Sequence, residues 1–238
     1  GLTLHRIGFA PPSAPGKRVA YRIFQMATRR MPELRRRLEF ARAAAGLLRR
    51  IHRGDPFHIC ESAEYGGNGY FLARTALIPL VVKIHTPPLF NYRLNELPVT
   101  CEVRWCDRFE RSQTRLASLR TAPSRKMADL AAPWLGDGRP VEVLPNPIDA
   151  EEFRPGGNAA DAGCGYLFYT GRLERRKGVH LLLEAFREVH RRHPALRLVL
   201  AGHDTPTFRR DGQALPFREY ARSTGLRSMA VSRMQAVI

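Results

Sequence analysis

Hydrophobic residues recur at three- and four-residue steps in several stretches of the chain, and this spacing is typical of amphipathic helices. In the first stretch, leucine and alanine form one stripe and arginine occupies the other faces. In the second, Trp105, Phe109 and Leu116 are expected to lie on roughly one side. Ser124 is a suitable N-cap for the third. Helices are therefore predicted over 32–52, 101–117, 124–135 and from Val179 to the residues before Pro194.

Short apolar runs alternate with these helices and predict strands. The run PLVVKI lies between Pro79 and Pro87 and is rich in β-branched residues, as buried parallel strands are. Alternating strands and helices favour an α/β fold with parallel sheets. Strands are predicted at 57–60, 79–84, 141–144, 166–170 and 196–202.

Two stretches without a sustained period suggest how the chain is divided. Residues 1–28 contain several prolines and are expected to form an irregular lead-in. Residues 151–165 are rich in glycine, alanine and aspartate and are expected to be a linker. The predicted domains are therefore 1–150 and 151–238.

The amino-acid composition limits the possible classes of function but does not select one of them. The 39 Lys and Arg against 22 Asp and Glu leave a formal charge of +17, which favours anionic partners such as phosphorylated substrates, nucleic acid or an acidic membrane face. No apolar run approaches the ~20 residues of a membrane-spanning helix, and the start lacks the pattern of a secretory signal. The four cysteines form no C-x2-C pair, so we expect idle thiols in a reducing cytosol and no metal site.

The segment GRLERRKG, residues 171–178, is the strongest local signal for chemistry. Gly171 lets the chain turn sharply out of a strand, and Arg172 and Lys177 precede the helix that begins at Val179. Uncapped helix amides together with arginine and lysine make an anion-binding site that suits a diphosphate. The alternative is a solvated basic loop in which Lys177 pairs with Glu174.

Several segments resemble glycosyltransferase family 4, which has the GT-B fold of two Rossmann-like domains facing a cleft. GRLERRKGVHLLLEAF followed by LRLVLAG resembles the donor half of that family. The other matching segments are PLVVKIHTP (79–87), RFERSQTRLASLRTAPSRKMADL (108–130) and VEVLPNPIDAEEFRP (141–155). Together they cover most of residues 57–204 in the family's order.

The resemblance implies a retaining transferase that needs no metal or other cofactor. Its donor would be a nucleotide-diphosphate sugar, and its acceptor a glycan or a lipid-linked molecule. Arg172 and Lys177, after Gly171, would hold the donor diphosphate. His85 would be the catalytic residue near the sugar, with Thr86 beside it.

Weaker candidates have structural alternatives. Gly67 could bring the backbone close to a substrate, although a tight turn is the favoured explanation. Glu110 lies in a segment matched by the family, and a salt bridge to a neighbouring arginine is its alternative. Asn146 and Asp149 are expected to fix the turn between the domains, since both residue types hydrogen-bond their own backbone.

The chain also departs from the family pattern. The family's first strand, its Gly-rich loop and its pair of glutamates have no counterpart, and only two strands are recognisable after residue 150. We therefore expect a fragment, truncated in its second domain, with little turnover. A cytoplasmic location is expected, with peripheral binding of the basic 29–53 helix to anionic lipid. The alternatives are another GT-B enzyme such as a nucleotide-sugar epimerase, an inactive relic, or a basic protein binding membrane or, less plausibly, nucleic acid.

Overall fold

The computed structural model divides the chain into two units. The first comprises Gly1–Phe90 and Val99–Pro147, and the second comprises Asn91–Pro98 and Ile148–Ile238. Most of the predicted linker, Cys164 and nearly all of the C-terminal tail lie outside the described residues. The described residues are 3–8, 15–154, 165–224 and, for the backbone alone, 231–232.

The first unit is built on a parallel sheet of four strands in the order β1-β2-β3-β4. β2 lies inside this sheet, and Leu80, Val82 and Ile84 on one of its faces are buried, while Val81 and Lys83 on the other face are half-buried. The elements of this part of the chain are α1 (Pro15–Ala27), α2 (Pro32–Gly54), β1 (Cys60–Ala63), α3 (Tyr70–Ala73), β2 (Leu80–Lys83), α4 (Pro88–Leu94), α5 (Cys101–Leu116), β3 (Leu119–Ala122), α6 (Arg125–Leu135) and β4 (Glu142–Val143).

The second unit has a parallel sheet in the order β5-β6-β9 and an antiparallel hairpin of β7 and β8. Its core joins α7 and α8 to β6 and β7 through residues such as Leu183, Leu200, Phe208 and Phe217. The prediction of only two strands after residue 150 was therefore wrong. The elements are β5 (Tyr166–Thr170), α7 (Val179–Arg192), β6 (Arg197–Ala201), β7 (Phe208–Arg210), β8 (Gln213–Leu215), α8 (Phe217–Ser223) and β9 (Val231–Ser232).

The α/β class with parallel sheets is confirmed, and several elements match the sequence pattern closely. β5 has the predicted bounds, and α6 begins after Ser124, whose side chain accepts a hydrogen bond from the Met127 amide at 3.3 Å. α6 ends at Gly136, whose φ of 63° is a conformation that glycine adopts without steric cost.

Other elements differ from the prediction. Residues 15–27, expected to be irregular, form α1, and the first strand begins at Cys60 rather than residue 57. Of the three apolar residues predicted on one side of α5, Phe109 is buried, but Trp105 and Leu116 are about half exposed. The buried face of α5 carries four polar residues among its apolar ones: Asp107, Glu110, Gln113 and Thr114.

Three of the polar residues on the buried face of α5 bond to other elements: Glu110 and Gln113 to the end of β1 and the turn after it, and Asp107 to α6. Gln113 accepts a hydrogen bond from the Gly69 amide and donates one to the carbonyl of Ala63 at 3.0 Å. The Trp134 indole donates to Asp107 at 3.0 Å. Buried polar groups are tolerated when they are paired in this way.

Candidate functional site

The loops that follow β1 and β2 meet at the carboxyl edge of the first sheet, where α/β proteins commonly place ligands. Glu64 follows β1 and is almost fully buried, and its Oε1 accepts a hydrogen bond from the Thr86 amide at 2.6 Å. The Thr86 hydroxyl in turn donates to the carbonyl of His85 at 2.6 Å. The His85 side chain itself is exposed. Glu64 therefore fixes the backbone that presents His85 to solvent.

A second buried carboxylate, Glu110 on α5, holds the turn after β1. Its Oε1 accepts a hydrogen bond from the Gly66 amide at 2.8 Å and forms an ion pair with Arg37 of α2. Burial raises the pKa of Glu110 to about 8, although Arg37 and the Gly66 amide act in the opposite direction. The predicted salt bridge of Glu110 is present, and its partner lies 73 positions away.

Gly67 has a structural explanation. It is buried with a φ of 64°, and a Cβ at this position would overlap the Phe109 ring. Only glycine fits both the backbone conformation and the space, so Gly67 permits close packing of the turn on α5. No described contact of Gly67 points toward a ligand.

The segment of residues 171–178, called here the basic loop, leaves the carboxyl end of β5 and leads into α7. The Gly171 amide donates to the carbonyl of Ala201 at 2.9 Å, and the Leu173 amide donates to the carbonyl of His203 at 2.9 Å. Leu173 is fully buried in the core of the second unit. These contacts fix the backbone of the loop against the end of β6.

The charged side chains of the basic loop comprise one buried anion, two half-buried arginines and two exposed cations. Glu174 is buried and pairs with Arg176 at 2.6 Å, while Arg172 lies at 4.0 Å from its second carboxylate oxygen. The suggested pairing of Lys177 with Glu174 is wrong, since only the Lys177 amide bonds to Glu174, through its carbonyl. Lys177 is exposed, and no ion pair of its ammonium group occurs in the part of the chain that the structure describes.

The helix that follows the basic loop begins without a side-chain cap. The N-cap of α7 is Gly178, which has no side chain to cap the first-turn amides. Uncapped N-terminal amides carry partial positive charge and are available to an anion. The basic loop thus presents Arg172, Lys177 and free amides from one rigid turn.

The predicted site residues therefore fall into two groups, one in each unit. His85, Thr86 and Gly67 belong to the first, and Gly171, Arg172 and Lys177 belong to the second. Sequence reasoning missed Glu64 and Arg37, whose contacts hold the first group, and considered Glu174 only as a partner of Lys177. In the sequence these residues cannot be identified, because a single charged or amide residue in an irregular or helical segment has the same pattern as a solvent-exposed residue. Among the described residues, no three His, Cys, Asp or Glu side chains form a group that could hold a metal ion.

Comparison with protein families now gives the fold and the basic loop a context. Residues 152–228, which include the basic loop, match the glycosyl transferases group 1. The second unit therefore resembles a domain found in glycosyltransferases. Residues 3–152 match Glycosyltransferase Family 4. Because the match to Glycosyltransferase Family 4 covers well over half of the chain, the protein belongs to that family.

Individual relatives are more distant. Over 95 residues the chain is 30% identical to a protein named glycogen synthase from Mycobacterium tuberculosis, in strains CDC 1551 / Oshkosh and ATCC 25618 / H37Rv. The alignment covers 40% of this chain and 22% of each relative. The similarity thus spans about a fifth of the length of these curated proteins.

A helix that crosses a membrane must be both long and apolar. Within residues 3–8, 15–154 and 165–224, no helix is both long enough and apolar enough to cross a bilayer.

Proposed function

We propose that the protein transfers a sugar from a nucleotide-diphosphate sugar to an acceptor, and that the basic loop holds the diphosphate. The observation that carries this proposal is the presentation of exposed Arg172 and Lys177 from a rigid turn directly before the uncapped N-terminus of α7. The membership in glycosyltransferase family 4 supports the same reaction class.

The chemistry of the basic loop suits a departing nucleoside diphosphate. Arg172 can bind two phosphate oxygens at once, and Lys177 adds a mobile point charge. These cations and the α7 amides neutralise charge that grows as the bond from the sugar to the phosphate breaks. They supply the stabilisation that a divalent cation gives in other enzymes, so we propose a metal-independent reaction. Retention of the anomeric configuration is proposed from the family resemblance.

The acceptor side of the proposal rests on the first unit. His85 is exposed at the carboxyl edge of the sheet, held by the contacts of Thr86 and Glu64, and we assign it the position beside the reacting sugar. A glycan acceptor agrees with the name of the glycogen synthase relatives. A lipid-linked glycan is the second acceptor class.

Substitution of the two exposed cations tests the phosphate-binding role. Arg172→Ala and Lys177→Ala should each weaken binding of a nucleoside diphosphate by about 10- to 100-fold, as expected for loss of one charge-assisted hydrogen bond. Titration calorimetry with UDP, GDP and ADP measures this, and UDP-glucose, GDP-mannose and ADP-glucose with mixed glycan acceptors test transfer.

Arg197→Ala is the matched control. Arg197 is also exposed in the second unit, but it begins β6 at the opposite end of the sheet from the basic loop. Its replacement should leave the affinity nearly unchanged. Equal losses in all three variants would indicate a general effect of charge and would contradict the proposal.

We further propose that α2 allows peripheral contact with an acidic membrane. Its buried face carries Leu34, Ala41, Ala44 and Ala45, while Arg42 and Arg50 lie outside this face and are exposed. Each basic residue near an anionic lipid surface contributes about 1 kcal/mol. The double variant Arg42→Gln/Arg50→Gln should therefore reduce binding to vesicles containing phosphatidylglycerol by about 30-fold.

Sedimentation with vesicles of neutral and anionic composition measures this effect. Arg191→Gln/Arg192→Gln removes the same charge from α7 in the second unit and serves as the control. Binding that falls equally in both double variants would assign the attraction to net charge rather than to α2. Helix deletion is unsuitable, since α2 contributes to the core.

A further inference from the structure

A short segment outside the basic loop holds one of its backbone amides. Residues Asn91–Pro98 lie within the sequence matched by Glycosyltransferase Family 4, yet they pack in the second unit. The Asn95 side chain is only 1% exposed, whereas its neighbours Leu94 and Glu96 are exposed. A buried amide group in such a segment requires hydrogen-bond partners.

Asn95 uses both ends of its side chain. Its Oδ1 accepts a hydrogen bond from the Arg176 amide at 2.8 Å, and its Nδ2 donates to Asn91 Oδ1 at 2.8 Å. The assignment of oxygen and nitrogen follows from the partner, since a backbone amide can only donate. The Asn91 contact therefore holds the Asn95 side chain in the orientation that accepts from Arg176.

The bond from Arg176 falls in the part of the basic loop that carries Lys177. Residues Arg175–Lys177 form a 3-10 turn, and the amides at its start have no partner within the turn. Thr207 Oγ1 accepts from the Arg175 amide at 3.0 Å, and Asn95 accepts from the next amide. Glu96 adds an ion pair to the Arg175 side chain at 2.8 Å. The turn is thus held by side chains from two different segments.

We propose that Asn95 is a positioning residue for the donor diphosphate. It acts through the Arg176 amide, which sets the backbone from which Lys177 projects, and it does not touch the ligand itself. This inference rests on the proposed function of the basic loop. It adds a residue, outside that loop, on which the affinity for the diphosphate depends.

The test compares Asn95→Leu with Asn95→Asp in the 238-residue chain. Leucine has a similar volume and cannot accept a hydrogen bond, so affinity for the nucleoside diphosphate that the unaltered protein binds best among UDP, GDP and ADP should fall about tenfold. Aspartate retains an oxygen for the Arg176 amide, and the Asn91 amide can rotate to donate to its second oxygen. Asn95→Asp should therefore bind within about threefold of the unaltered protein. A merely structural role would not distinguish the two variants in this order.

Leu94→Ala is the control, because Leu94 is adjacent and its side chain is exposed. The variant Asn91→Ala removes the partner that orients the Asn95 side chain, so it should weaken diphosphate binding about threefold. This variant tests the inference if Asn95→Leu does not fold. A folded Asn95→Leu variant with unaltered affinity, or Asn91→Ala with unaltered affinity where the leucine variant is unfolded, would overturn the inference and leave the proposed function standing. If the unaltered protein binds no nucleoside diphosphate, both the inference about Asn95 and the proposed function are contradicted.

Discussion

Replacing Arg37 with methionine is expected to destabilise the first unit strongly, and more at pH 9 than at pH 6. Arg37 pairs with Glu110, whose side chain is 0% exposed. At a pH at which Glu110 of the unaltered protein is ionised, removing its partner typically costs about 3–5 kcal/mol, because the remaining buried charge has no compensation. Methionine preserves the length and much of the volume of the arginine side chain, so the cost reports the lost charge rather than a cavity.

The pH dependence follows from the pKa of Glu110, which burial raises from its usual value of 4.5 to about 8. Between these values the folded chain binds a proton that the unfolded chain does not, so stability falls as the pH rises through this window. Loss of Arg37 raises the folded-state pKa further, because the arginine favours the ionised form. The window then extends upward, and the Arg37→Met variant should lose more stability at pH 9 than at pH 6.

Urea denaturation at the two pH values, followed by tryptophan fluorescence, measures this effect. Both tryptophans, Trp105 and Trp134, lie in the first unit, so the signal reports the unit that contains Arg37. Arg36→Met is the control, since Arg36 is exposed and pairs only with Glu33. Glu110→Gln should flatten the pH dependence. Equal destabilisation of Arg37→Met at both pH values would show that Glu110 is already ionised at pH 6 in the folded protein.

Gly202→Ala is expected to have a comparably large effect on the second unit. Gly202 follows β6, and a Cβ at this position would overlap the carbonyl oxygen of Gly171. Backbone atoms cannot move aside as a flexible side chain can, so the ends of β5 and β6 would have to separate. We expect a loss of about 4 kcal/mol, at the upper end of single-substitution effects.

The same substitution should abolish binding of nucleoside diphosphates, since Gly171 and Gly202 together set the point at which the basic loop begins. Hydrogen exchange of peptides from residues 166–201 measures the opening of β5 and β6, and calorimetry measures binding. Gly165→Ala is the control at the other end of β5, where the nearest atom to a new Cβ is Leu196 Cδ1 at 3.4 Å. A Gly202→Ala variant with unaltered exchange would show that the new Cβ is accommodated without opening the two strand ends, and would contradict the prediction.

The sequence predicted the elements whose local pattern and tertiary environment agree. β2 and β5 are short apolar runs that become buried or paired strands, and Ser124 caps α6 as its residue type favours. The basic loop was also readable, because a glycine, an arginine and a lysine precede a strongly periodic helix. In these regions the chemistry of neighbouring residues suffices to define the structure.

The wrong predictions have other causes, and most of them lie in tertiary contacts. The apolar side chains Trp105 and Leu116 suggested one face of α5, but the buried face is defined by polar residues that bond to loops far away in the chain. Residues 15–27 were expected to be irregular, yet their helix was readable, because Pro15 occupies its first position and Val19, Ile23 and Met26 recur at four- and three-residue steps. An exposed arginine and a buried one, such as Arg36 and Arg37, are indistinguishable by residue type.

The sequence by itself determined the α/β class, the order of most strands and helices, and the basic loop with Arg172 and Lys177. Periodicity, capping residues and glycine positions act over a few residues, and they are therefore visible in a single chain. Only the tertiary structure decided that Glu110 meets Arg37, that Glu64 holds Thr86, and that Asn95 accepts from Arg176. These contacts join residues between 22 and 81 positions apart, and burial, which no local pattern encodes, decides which polar groups must find such partners.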